Sequence, residues 1–113
     1  MSLVAEQAAF LLDFCLLIQW ATENGYVITA GELLRPIEMQ KIYVETGRSM
    51  TMNSNHIKKL AGDLNVFKDG KYLCTVEGLR PLGEKWKSLS PKNRWGGDWS
   101  SFKDAPHFER KLT

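Results

Sequence analysis

Between residues 3 and 23 the apolar positions Val4, Ala8, Leu11, Cys15 and Ile18 return at helical spacing, and Phe10, Phe14 and Leu17 widen the stripe. That period predicts a helix with one broad apolar side, built to form core. Asn24-Gly25 supplies its stop. Tyr26-Val27-Ile28-Thr29 reads as a short strand. Pro36 opens a second helix in its first turn, where a missing N–H costs nothing, and Gly47 closes it, so the helix runs from Pro36 to Thr46. The stretch from Arg48 to Asn55 is polar and without period, and predicts a loop.

The pattern then changes from helical to alternating. Ala61 to Lys68 predicts a strand with Leu64 and Val66 on one face and Ala61, Asp63 and Asn65 on the other. Asp69-Gly70 is a hairpin signal, and Tyr72 to Val76 forms the returning strand. Leu79 to Leu89 predicts a third helix, which Pro81 and Gly83 confine to its later part. Beyond Pro91 the chain reads as irregular, through Trp95-Gly96-Gly97-Asp98-Trp99, until His107-Phe108-Glu109. No repeat, low-complexity stretch or linker interrupts it, so residues 1–113 are expected to form one domain.

Composition narrows the possibilities. Apolar residues make up 43% and charged residues 25%, an ordinary soluble globular balance. A net charge of +2 is too small to argue for nucleic acid, although it tolerates an acidic polymer. Cys15 and Cys74 sit in apolar surroundings and form no CxxC pair, which excludes a cysteine-type zinc site and predicts two buried free thiols. The first residues show no basic region followed by a clean apolar stretch and a cleavage site. The run from Ala8 to Ala21 is interrupted by Asp13 and Gln19 and reads as too short to span a bilayer. Cytoplasmic synthesis without a signal peptide is the expectation.

Two histidines carry the candidate chemistry, both in polar contexts. His56 precedes Asp63 by seven residues, and His107 follows Asp104 by three. Two imidazoles and one carboxylate are a standard catalytic zinc set that leaves a position open for water. Zinc would bring the pKa of that water to about 7, and a carboxylate would then carry the proton to the leaving amine. Asp104, across a proline-stiffened turn from His107, is placed for that work. On residue types and spacing alone, unrelated surface groups and a plain Asp-Ala-Pro turn are the commoner explanation.

Ser54, His56, Ala61 and Asp63 match the pattern S-x-H-x-x-G-x-A-x-D, with Lys59 where glycine is usual. This stretch resembles the signature of the D-alanyl-D-alanine carboxypeptidase family of zinc peptidases. Trp95-Gly96-Gly97-Asp98-Trp99, Phe102 and Asp104-Ala105-Pro106-His107-Phe108-Glu109 are similar to the ending of its phage-endolysin branch of L-alanyl-D-glutamate endopeptidases. Gly31 to Pro36 and Gln40 resemble the segment that carries an active-site arginine in that family. The resemblance implies zinc ligands His56, Asp63 and His107, and Asp104 as general base. It implies that Arg35 holds the oxyanion or a substrate carboxylate, and that Ser54 bonds substrate or orients His56. Trp95 and Trp99 either wall the cleft or fill the core, and Gly96-Gly97 allows close backbone approach.

The resulting expectation is an α+β fold, helices packed on a small antiparallel sheet that carries the zinc site. The function expected is peptidoglycan hydrolysis by a monomer acting on the wall after phage- or prophage-type release, with no nucleic-acid partner and no membrane insertion. A D-Ala-D-Ala carboxypeptidase or dipeptidase is the alternative within the same chemistry. A non-catalytic, zinc-stabilised wall-binding domain is the alternative outside it, and the lack of a fourth His or Cys ligand speaks against it.

Overall fold

The computed structural model describes residues 2–33, 35–49 and 54–112; of the loop expected over Arg48–Asn55, residues 50–53 lie outside this set. Helix α1 spans Leu3–Glu23, and the Ser2 hydroxyl accepts the Ala5 N–H at its start. Its buried face is Phe10, Phe14, Leu17 and Ala21, with Glu6. Of the stripe that periodicity singled out, Val4, Ala8, Leu11 and Cys15 are exposed, while Ile18 is half-buried against the core that holds the flanking Phe10, Phe14 and Leu17. This corrects the sequence reading: α1 is apolar nearly all round, so its period does not say which side faces inward. The aromatic side won, because Phe10 and Phe14 pack edge-on against Trp86 at ring distances of 5.7 and 6.2 Å. Both cysteines are likewise exposed and free, not buried. By length and composition α1 also meets the requirement for a membrane span, which the interrupted run from Ala8 to Ala21 had argued against.

Strand β1 is Val27–Ala30, helix α2 Ile37–Glu45, strand β2 Ala61–Lys68 and strand β3 Lys71–Leu73. Pro36 stands just before α2 as its cap residue. Asp69 and Gly70 both take positive φ (52° and 78°), the tight turn the hairpin signal requires. The returning strand stops at Leu73, sooner than expected, because Thr75 caps helix α3, Val76–Leu89, by accepting the Gly78 N–H at 3.0 Å. The third helix therefore starts earlier than Leu79. Pro81 is accommodated at an exposed position inside it. Gly83 is required by packing, since a Cβ there would lie 2.2 Å from the Trp95 ring.

Two strands complete the sheet, β4 at Asn93–Trp95 and β5 at His107–Arg110. Strand β4, in a segment that reads as irregular, is three residues long, too short to show alternation; it exists because it pairs with Phe108, Glu109 and Arg110. The antiparallel order is β1-β2-β5-β4, with β3 also on β2. Trp86 joins the layers: its indole N–H donates to the carbonyls of Arg94 and Glu109, both at 3.0 Å, while its ring meets Phe108. Glu6 ties α1 to the last strand, accepting from Lys92 and Arg110 at 2.6 Å each.

Candidate metal centre

Strand pairing assembles the site. The β2–β5 register sets Asp63 directly opposite His107, so their side chains share a face. Glu109, two residues on, shares that face too, while Phe108 between them enters the core. His56 comes from the turn before β2, whose last residue, Lys59, takes φ +59°. Lys59, where the resembled signature has glycine, thus takes a left-handed backbone that glycine adopts more readily. Arg35 N–H bonds the His56 carbonyl, and Ser54 Oγ accepts the His56 N–H at 3.2 Å.

Hydrogen bonds assign the tautomers. His56 Nδ1–H donates to the Leu33 carbonyl at 3.1 Å, leaving Nε2 as an acceptor aimed inward. His107 Nε2–H donates to Glu109 at 2.7 Å. Its Nδ1 faces His56 Nε2 at 3.1 Å and Asp63 Oδ1 at 3.2 Å, and His56 Nε2 is 3.3 Å from that same oxygen. One donor atom from each of His56, Asp63 and His107 lies within 4.8 Å of the others. Two buried imidazoles with outer nitrogens already engaged, and a carboxylate between them, suit a divalent cation in donor type and orientation.

Charge in the cluster is strongly coupled. Burial works against the His107 cation, but hydrogen bonds to Asp63 and Glu109 outweigh it and push its pKa up to about 9. Burial works against the Asp63 anion, but the bonds from His107 and His56 hold it down at about 2. Asp104 lies beside them, Oδ2 4.0 Å from His107 Nδ1 and its side chain 42% exposed. Burial and then the Asp63 charge raise its pKa from the ordinary aspartate value. Gly96 makes its placement possible, because a Cβ there would sit 2.2 Å from the Asp104 carbonyl oxygen.

A cleft of about 390 Å³ opens over this cluster, with Arg35, Ser54 and Asp104 in its wall. Arg35 is heavily engaged: its guanidinium donates to Glu32, to Gln40 and to Ser54, and lies over the Tyr43 ring. Trp99 lines the cleft, its ring centre 5.0 Å from that of His107. Trp95 is 1% exposed and donates to the Ala105 carbonyl, so it belongs to the core. The two tryptophans thus divide the alternatives between them. Sequence reasoning missed the support around His107: Glu109 also accepts from Asn55 at 3.0 Å and pairs with Arg94 across the strands. Its i+2 spacing from His107 on a strand was the available signal.

A family model described as D-alanyl-D-alanine carboxypeptidase matches residues 47–110, more than half of the chain. The chain belongs to this family. It is 36% identical over 95 residues to the L-alanyl-D-glutamate peptidase of Listeria phage A118. That match takes in 82% of this chain but only 34% of the relative, so the chain spans about a third of that protein's length. Its fold is similar to that in the crystal structure of the Serratia marcescens L-Ala D-Glu endopeptidase ChiX, with a TM-score of 0.69, 24% identity, and coverage of 84% of this chain and 75% of that one. The α+β fold expected for the family is the one observed.

Proposed function

We propose that this chain is a zinc peptidase that hydrolyses peptide bonds of bacterial peptidoglycan, cutting between L-alanine and D-glutamate. The observation that carries the reading is the convergence of His56 Nε2, His107 Nδ1 and Asp63 Oδ1 beside Asp104, with His56, His107 and Asp104 lining an open cleft. The phage relative's specificity supports the choice of bond, and points to wall digestion during phage-type lysis.

His56, Asp63 and His107 would hold the zinc, which when bound supplies Lewis acidity and makes water more acidic. Asp104 accepts the proton of the attacking water and returns it to the leaving amine, and its raised pKa suits both halves of that task. Glu109 holds His107 with Nδ1 turned inward. Arg35 steadies the Ser54–His56 turn from Glu32 and Gln40, and offers positive charge to the cleft where an oxyanion develops. Trp99 walls the cleft beside His107.

Cleavage of a D-Ala-D-Ala terminus is the second reading, favoured by the description of the matching family. Digesting purified peptidoglycan and identifying the new termini by mass spectrometry separates the two. New N-terminal D-glutamate is expected. Release of free D-alanine would establish the second reading, and an undigested wall with zinc-loaded protein would refute both.

A further inference from the structure

The end of α2 determines where Arg48 goes. Gly47 takes φ +77°, its N–H bonds the Val44 carbonyl at 3.2 Å, and the Arg48 N–H bonds the Tyr43 carbonyl at 2.7 Å. These paired bonds are a Schellman cap, which turns the chain back over the final turn of the helix. The Arg48 guanidinium carbon consequently lies 4.8 Å from the centre of the Tyr43 ring, and that of Arg35 lies 4.7 Å from the same centre. Contact with a ring engages the face of a guanidinium and leaves its edge donors for a planar acceptor.

The other arginines of the cleft are matched. Arg35 pairs with Glu32, which also accepts the Tyr43 hydroxyl, and Arg94 pairs with Glu109, which accepts from His107. Arg48 is exposed, lines the same cleft as Asp104 and His56, and forms no ion pair with any carboxylate among the described residues. Two guanidiniums on one ring with a single carboxylate leave this wall one positive charge in excess. An anionic group on the substrate would relieve it.

We propose that Arg48 is a specificity residue that binds a carboxylate carried by the substrate beside the bond to be cut. This rests on the peptidase reading of the cleft. A glutamyl residue that begins the leaving fragment has two carboxyl groups, and the continuing peptide uses only one. The other can meet the edge donors of Arg48 as a forked, charge-assisted pair.

The test uses two peptides spanning an L-Ala-D-Glu bond, one with that carboxyl free and one with it as the carboxamide. Zinc-loaded wild-type protein, Arg48→Gln and Arg48→Lys are compared by kcat/KM. Binding of both peptides to Asp104→Asn protein, with and without Arg48→Gln, is followed by calorimetry. Arg48→Gln should lower kcat/KM for the carboxylate peptide about ten- to a hundredfold more than for the carboxamide, chiefly through KM, with Arg48→Lys in between. The same preference should vanish from the calorimetry. An equal effect on both peptides, or none, overturns the role of Arg48 while leaving the peptidase reading intact. Failure of the wild type to cleave either peptide, with no binding to Asp104→Asn, overturns both.

Discussion

Zinc binding should expel a proton from His107, with a pH dependence set by the neighbours of that ring. Asp63 and Glu109 grip the metal-free imidazole from its two nitrogens and raise its pKa to about 9. At pH 7 the ring is then protonated about a hundred times more often than not, since each pH unit is a factor of ten. Ligation through Nδ1 requires that proton to leave, whereas the Nε2 proton stays on Glu109. Apparent zinc affinity should therefore rise about tenfold per pH unit from 7 to 9 and level off above, with close to one proton released per zinc at pH 7. Calorimetry in buffers of different ionisation enthalpy counts the proton, and chelator competition gives the affinity. Melting temperatures should show the reverse trend without metal. The raised His107 pKa contributes stability that is complete below about 6.5 and lost as pH climbs through about 9. The lowered Asp63 pKa contributes stability that is present above about 3.8 and lost as pH falls through about 2. Metal-free protein should thus melt highest between about pH 4 and 6.5, while the stabilisation added by zinc grows toward pH 9. Affinity flat from pH 7 to 9, with no proton released, would refute the assignment of His107 Nδ1 as ligand.

Asp104→Asn should keep zinc bound while lowering hydrolysis about a hundred- to ten-thousandfold, the usual worth of general acid–base help; loss of zinc in elemental analysis would make Asp104 a structural support instead. Glu109→Gln should weaken zinc about ten- to a hundredfold by loosening the orientation of His107, and unchanged affinity in chelator competition would show that the ring is held by packing alone. Lys59→Gly should stabilise the fold by about 1 kcal/mol, because a lysine at φ +59° bears the left-handed strain that glycine avoids. A lower denaturant midpoint in that variant would show that the lysine side chain more than offsets its backbone.

The sequence by itself offered a candidate site. His56, Asp63, Asp104 and His107 stood out through the resemblance of the segments that carry them, since residue types and spacing alone fitted unrelated surface groups, and Ala61 to Lys68 alternates clearly enough to put Asp63 on a strand. Gly47 and Asp69-Gly70 were legible for a local reason: a left-handed turn demands particular residues wherever it occurs. What stayed hidden was every choice between two acceptable partners. Helix α1 could have buried either of two apolar sides, and Trp86, far along the chain, selected the one with Phe10 and Phe14. Trp95 and Trp99 are four residues apart in one motif, yet the first fills the core and the second walls the cleft, because a 3-10 turn at Gly96–Asp98 separates them. Asp63 and His107 are 44 residues apart, and only the register of β2 against β5 brings them face to face. That register is decided by which side chains fit a shared core, a property of the whole packed molecule that no stretch of the chain contains.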